Sequence, residues 1–257
     1  MSSEHWGQRP RDWAQLAEPS NEPLFAEVLR RLGVGVGTRL LDVGCGSGYA
    51  AAMAAQLGAR ITGIDITPEL IAIARERVPD ADFRVGGMDD LPLRDACFDA
   101  VVGFNAFQFA DDPARAVGEA ARVVRPGGLV AATTFAEPER NESTALHLAL
   151  EPLRGTAPAP THHLPYALSA PGGLERLLAG AGLEPAESGE VPLAWAHDTV
   201  DDAVRAVLAS GGGAMAIEAA GEAAAREALE RAVTPFTRPD GSVSMQNVFR
   251  FAISRRG

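Results

Sequence analysis

Four residues in one short stretch have the types and spacing to hold a ligand. In Leu-Leu-Asp-Val-Gly-Cys-Gly-Ser-Gly-Tyr, residues 40–49, Asp42 stands just ahead of three glycines at alternate positions, Gly44, Gly46 and Gly48. Glycines so placed let the chain turn with unusual φ values and let a ligand approach the backbone. The alanine-rich run that follows reads as a helix whose first free N–H groups point at whatever sits over the turn. Cys45 lies inside the same turn, and Asp65 ends the next apolar run, Arg-Ile-Thr-Gly-Ile-Asp. A carboxylate at the end of a second strand can accept both hydroxyl hydrogens of a ribose.

The ligand's chemistry follows from the spacing. A nicotinamide dinucleotide fold calls for Gly-x-Gly-x-x-Gly over a pyrophosphate; here the order is Gly-x-Gly-x-Gly with an acid in front. An acid suits a pyrophosphate badly and suits an ammonium with a sulfonium well, which favours S-adenosylmethionine. Two pairs of neighbouring acids, Asp89-Asp90 and Asp111-Asp112, raise the question of Mg²⁺, but adjacent loop acids read as caps and solvated surface. No metal is expected.

These residues need a frame. Apolar runs alternate with helical patterns from residue 24 onward: a helix through 31, a strand into Asp42, a helix to about 56, a strand at 60–65, and a helix that Thr67 caps and Pro68 opens. Strands follow at 82–86, 98–104 and 129–135, with a helix started by Asp111, Asp112 and Pro113 and stopped at Arg125-Pro126-Gly127-Gly128. Such alternation predicts a parallel, doubly wound α/β sheet with ligands over the carboxyl ends of its strands. Beyond 135 the rhythm fails. Residues 136–170 form an excursion too long for a plain connection. Ser169 then caps a helix over 171–181, a sixth strand spans 183–194, and two helices at 200–210 and 214–233 flank Gly211-Gly212-Gly213. The alternating segment 242–253 pairs antiparallel beside the sixth strand.

From roughly residue 25 to 135 the chain resembles the class I S-adenosylmethionine-dependent methyltransferases of the small-molecule branch, through Asp42 with its glycines, Asp65, the Leu91-Pro92 turn and the Arg125–Gly128 stop. The resemblance implies a Rossmann-like methyltransferase fold: a mostly parallel seven-stranded sheet with an antiparallel last strand, here with a helical cap. It also implies that Asp42, Gly44 and Gly46 meet the methionine end, with Cys45 and Gly48 in the same turn, and that Asp65 binds the ribose. Ile66 would face the adenine, Met88 would offer it a backbone N–H, and Asn105, next to Ala106, a carbonyl. Many relatives carry an Asp where this chain has Gly87, so the adenine amino group falls to Asp89 or to a main-chain group.

One domain over 1–257 is expected: an amino-terminal helical arm or lid at 1–33, a cofactor core at 34–135, and cap segments at 136–170 and 197–235. The acceptor would enter over the fourth and fifth strands, where Phe107, Tyr166 and Trp195, joined by Trp13 from the arm, give an apolar pocket with Gln108 among its few polar groups. Such a pocket suits a hydrophobic or aromatic metabolite, methylated at oxygen or carbon. Methyl transfer needs mainly proximity and alignment. A hydroxyl acceptor needs a base, and His162 and His163 in the excursion are the candidates, ahead of His147 and His197. Two alternatives stay open: the same fold used for non-methylating chemistry such as cyclisation, and an NAD(P)-dependent oxidoreductase.

Charge and composition narrow the partners. A formal charge of -11 disfavours nucleic acid. All 23 basic residues are arginine, which excludes Schiff-base and Walker-lysine chemistry. The absence of a secretory pattern, of any long apolar span, and of a disulfide or metal spacing for Cys45 and Cys97 points to a soluble cytoplasmic protein with a small-molecule partner.

Overall fold

A computed structural model describes residues 3–154 and 165–257. The chain opens with the short turns α1 (Ser3–Trp6) and α2 (Pro10–Asp12), a π-turn at Trp13–Ala17 and a 3₁₀ turn at Glu18–Asn21. Then come α3 (Glu22–Arg31), β1 (Arg39–Val43), α4 (Tyr49–Gln56), β2 (Arg60–Asp65), α5 (Pro68–Arg77), β3 (Asp82–Val85), β4 (Phe98–Gly103), α6 (Pro113–Val123) and β5 (Val124–Phe135). The second half holds α7 (Thr144–Leu150), α8 (Gly173–Gly180), β6 (Leu183–His197), α9 (Val200–Leu208), α10 (Gly211–Ala220), α11 (Glu222–Val233) and β7 (Val243–Arg256). The seven strands form one sheet in the order β3-β2-β1-β4-β5-β7-β6. β1 to β5 pair in parallel, and β7 runs antiparallel between β5 and β6. This is the expected Rossmann-like sheet with its antiparallel last strand.

β1 and β4 lie at the centre of the sheet, and their apolar runs are buried: Leu40, Leu41, Val43, Val101 and Val102 are each at most 1% exposed. Helices cover both faces. Leu24, Val28 and Leu29 of α3 pack with Ala51 and Ala54 of α4 on one side. On the other, Val117, Ala120 and Val123 of α6 pack with Leu174 and Leu178 of α8. A third cluster joins Leu146 and Leu150 of α7 to Val204, Leu208, Ala225 and Leu229 of α9 and α11, and to Val243 and Met245 of β7.

Several boundaries differ from the sequence reading, each for a local reason. Thr67 holds the N-cap position of α5, but its side chain makes no cap bond; Asp65 Oδ1 accepts the Thr67 N–H at 2.9 Å instead. α6 does stop ahead of Arg125–Gly128, at Val123, but β5 begins earlier than expected: it pairs with β4 at Val124, and the four residues bulge out before pairing resumes at Leu129. Ser169 Oγ donates to the Tyr166 carbonyl at 2.8 Å, and α8 begins later, behind Gly172. Gly211–Gly213 is the first turn of α10, capped by Ser210. A first break falls at Ala209-Ser210, just ahead of those glycines, and a second at Gly221, whose φ of 86° leaves the helical region, so three helices stand where two were expected.

Candidate functional site

The glycine turn sits where the carboxyl ends of β1, β2 and β4 meet. Gly44 has a φ of 71°, and a Cβ there would come 2.6 Å from the Cβ of Ala106, so the turn after β4 closes directly on the turn after β1. Gly44 and Cys45 donate their N–H groups to the Ile64 carbonyl at 2.8 and 3.1 Å, which fixes the turn to β2. Gly46 donates to Asp65 Oδ2 at 2.9 Å. Both Asp65 oxygens therefore hold one backbone N–H each, and each keeps a lone pair for a further donor.

Acidity concentrates here. Asp42 is 2% exposed, and its Oδ1 is buried with no hydrogen-bond partner among the described residues. Burial first, then the charges of Glu18 and Asp65, push its carboxyl up to about 8. Glu18 and Asp65 are raised as well, each chiefly by burial against the hydrogen bonds that favour its ionised form. Three carboxyl groups thus share one dry turn.

Glu18 was not legible in the sequence, and it comes from the arm. Its carboxylate accepts the Ser47 backbone N–H at 2.8 Å, the Ser47 hydroxyl, and the Trp13 indole N–H at 3.0 Å. Arg77 of α5 completes the clasp, donating to Glu18, to the Ser47 carbonyl at 2.8 Å and to the Ala14 carbonyl at 3.1 Å. Farther out, Trp6 packs edge-on against Trp13 at 4.8 Å and against Phe109 at 5.7 Å. Asp12 pairs with Arg205 of α9 at 2.5 Å, and Arg9 with Glu222 of α11 at 2.8 Å. The arm is pinned to the core and to the later helices, and it covers the turn.

The other expected cofactor residues divide by position. Met88 and Ala106 face Gly44. Asn105 adopts a φ of 50°, tolerated by asparagine, and its N–H is held by Thr133 Oγ1 at 2.9 Å. Asp89 is partly buried, with Oδ1 3.4 Å from the Asp112 N–H at the start of α6. Asp112 itself caps α6 through the N–H groups of Ala114 and Arg115. Ile66 is 51% exposed. Cys45 turns into the core, and Gly48 packs against Ala74 and Phe83, so these two side-chain positions serve packing.

A cavity of about 570 Å³ opens beyond β4 and β5, lined among others by Gln108, Thr144, His147, Arg154 and Tyr166. Gln108 is 0% exposed, and neither atom of its amide has a partner among the described residues. The Tyr166 hydroxyl meets Thr144 Oγ1 at 2.7 Å and lies 3.5 Å from His147 Nδ1. Burial pulls His147 down to about 4, so its imidazole is neutral at pH 7. A small enclosed pocket of about 70 Å³ brings Trp13 and Trp195 together, and His147 lines it too. Phe107 is a correction. It is 1% exposed and packs beneath β4 against Gly103, because the 3₁₀ turn at Phe107–Phe109 directs it into the core, away from the cavity. His162 and His163 lie outside the described residues. In the sequence His147 stands behind those two, as one more histidine of the 136–170 excursion.

A family profile described as "Methyltransferase domain" matches residues 41–132. The malonyl-(acyl-carrier protein) O-methyltransferase of Pectobacterium atrosepticum is 35% identical over 130 residues, 51% of this chain and 50% of that protein. The ubiquinone biosynthesis O-methyltransferase of Xanthomonas axonopodis pv. citri is 33% identical over 153 residues, 58% of this chain and 63% of that protein. The chain spans about half the length of the curated relatives it matches. Among solved structures, an S-adenosylmethionine-dependent methyltransferase from Aquifex aeolicus superposes with a TM-score of 0.54 at 20% identity, covering 71% of this chain and 92% of that one. The (4+2)-cyclase SpnF superposes with a TM-score of 0.60 at 22% identity, covering 94% and 84%. At these identities the structures show a shared fold.

Proposed function

We propose, for a chain whose residues 41–132 belong to the class I S-adenosylmethionine-dependent methyltransferases, that it transfers a methyl group to a small, mainly apolar or aromatic metabolite at oxygen or carbon. The observation that carries this reading is the acidic turn: Asp42, with an unpartnered buried oxygen, beside Glu18 and Asp65. A cluster of carboxyl groups out of water calls for positive charge. A ligand with an ammonium and a sulfonium supplies it, and a pyrophosphate would worsen it. The residues therefore fit the cofactor. Asp42 and the Gly44–Gly46 backbone would hold its methionine end, Asp65 its ribose, and Met88, Asn105, Ala106 and Asp89 would line its adenine. When bound, the cofactor supplies an electrophilic methyl group.

This chain's own residues then position the acceptor. Gln108 and Tyr166 offer hydrogen bonds inside the 570 Å³ cavity, and the arm with Trp6 and Trp13 keeps water from the turn. For a hydroxyl acceptor, neutral His147 can take the proton at Nδ1 directly or through the Tyr166 hydroxyl 3.5 Å away. The test is a thermal-shift comparison of S-adenosylmethionine, S-adenosylhomocysteine and NAD(H), followed by transfer of labelled methyl into a metabolite extract. Stabilisation by the first two and label in an organic-soluble product are expected. Stabilisation by NAD(H) alone would replace this reading with the oxidoreductase. Binding of S-adenosylmethionine with no transfer would favour non-methylating chemistry, the kind named for SpnF.

A further inference from the structure

We propose that the acceptor is itself an acid, whose single carboxylate seats on Arg154 while its body fills the 570 Å³ cavity; this rests on reading that cavity as the acceptor site. Arg154 follows α7 and is half-buried. Its Nε is shielded from water with no partner, and among the described residues its guanidinium donates no hydrogen bond and has no carboxylate within 4.0 Å. Residues 155–164, next in the chain, contain no Asp or Glu. Glu151 lines the same cavity but is exposed and stays beyond ion-pair distance.

Elsewhere half-buried arginines mostly pair with acids, and Arg256, which does not, gives its guanidinium to the Arg122 and Val124 carbonyls. Arg77 holds Glu18, Arg122 holds Glu119 and Asp95, and Arg250 holds Glu137 and Glu190. A partly desolvated cation with no ion-pair partner, only the more distant charge of exposed Glu151, is costly, in a chain whose acids outnumber its bases 34 to 23. The surroundings add positive potential. A Cβ on Gly212 would lie 2.7 Å from Arg154 Nη2, so the guanidinium rests against the first turn of α10, at the positive end of that helix. Both features favour an anion.

Gln108 is the second, independent pointer. It is wholly buried, faces the same cavity, and leaves both a donor and an acceptor unused. A ligand that places a polar atom there satisfies a group that otherwise carries an unmatched desolvation cost. The count of charges sets the class of anion. His147 is neutral at pH 7 and the one lining acid, Glu151, is exposed, leaving Arg154 as the single half-buried charge among the described lining residues, which matches a monoanionic carboxylate better than a phosphate dianion.

The test uses matched probes on the full chain, with and without S-adenosylhomocysteine: 4-hydroxybenzoate against 4-hydroxybenzamide, octanoate against octanamide, and phenyl phosphate, each titrated by calorimetry. At least one carboxylate should bind tenfold or more tighter than its amide. Arg154→Gln should erase that ratio while leaving the affinity for S-adenosylhomocysteine and the circular dichroism spectrum unchanged. Gln108→Leu should weaken both members of a pair together and keep the ratio. Equal binding of acid and amide, a ratio that survives Arg154→Gln, preference for phenyl phosphate, or no saturable binding by either pair would overturn the proposal. The methyltransferase reading fails separately, if S-adenosylhomocysteine itself does not bind.

Discussion

The Glu18 carboxylate accepts the backbone N–H of Ser47 at 2.8 Å, so a residue from the amino-terminal arm closes the turn that follows β1. Glu18→Ala would strand the Ser47 backbone N–H and the Trp13 indole N–H and take from Arg77 its carboxylate, leaving it only the Ser47 and Ala14 acceptors. A loss of about 1–3 kcal/mol is expected. Limited proteolysis should then cut within residues 3–21 faster than in the parent chain, while the sheet stays intact. An unchanged cutting rate and melting temperature would show that the arm is held by Trp6 and its ion pairs alone.

The second prediction concerns pH. The Asp42 carboxyl is pushed up to about 8, chiefly by burial, from an ordinary value near 4. Below about 4 both folded and unfolded chains hold its proton. Between there and 8 only the folded chain does, so ligand-free stability falls as pH rises through that window, by about 1.4 kcal/mol per pH unit, on the order of 5 kcal/mol in all from this group. Asp42→Asn should flatten the fall in melting temperature between pH 5 and 8. A cationic cofactor favours the ionised acid, so wild-type affinity for S-adenosylmethionine should rise with pH up to about 8, with proton release on binding. Calorimetry in buffers of different ionisation enthalpy reads that release directly, and none at pH 7 would disprove the coupling.

Asp65 has two duties that one pair of variants separates. Asp65→Ala removes the acceptor for the Gly46 and Thr67 N–H groups and the proposed ribose ligand together. It should cost about 1–3 kcal/mol of stability and ~2–4 kcal/mol of cofactor binding. Asp65→Asn keeps one acceptor oxygen and should recover part of the stability and little of the binding. Equal cofactor affinity in all three proteins would reduce Asp65 to a turn residue.

His147 gives a kinetic prediction. If the acceptor is a hydroxyl, His147→Ala should lower kcat by ~10² to 10⁴ with cofactor affinity unchanged. The acid limb of the wild-type pH–rate profile should lie near 4, where burial has placed the imidazole, and not in the ordinary histidine range. Tyr166→Phe should show an intermediate loss. Full activity in both variants leaves positioning as the mechanism.

The sequence made the cofactor half legible because its signals are local. Gly44, Gly46 and Asp65 each advertise a turn or a strand end within a few residues, and the observed strands begin and end within a few positions of the expected ones. Thr67, Ser169 and Gly211–Gly213 misled for the same reason: capping residues are recognised by type, whereas the bond is made by whichever oxygen the fold brings closest, here Asp65 and Ser210. Glu18 and Arg154 could not be read at all. Their roles depend on contacts across the fold, to Ser47 and Arg77 in one case and toward Gly212 in the other, and neither pairing leaves a pattern along the chain. Phe107 was misplaced because an apolar residue after a strand suits a pocket wall and a core equally.

The position of β7 also governs how the molecule is made. Its residues pair with β5 from Leu129↔Arg255 to Phe135↔Phe249 and with β6 from Leu183↔Arg256 to His197↔Val243. Until residues 243–256 have left the ribosome, β5 presents an open edge, β6 has no neighbour, and the Phe135–Phe249 ring contact at 4.4 Å does not exist. Sheet completion therefore waits on contacts of high sequence separation and comes late in folding. A nascent chain stalled short of residue 243 exposes a long apolar edge to other copies of itself, which makes this stage the one most prone to aggregation and most dependent on chaperones.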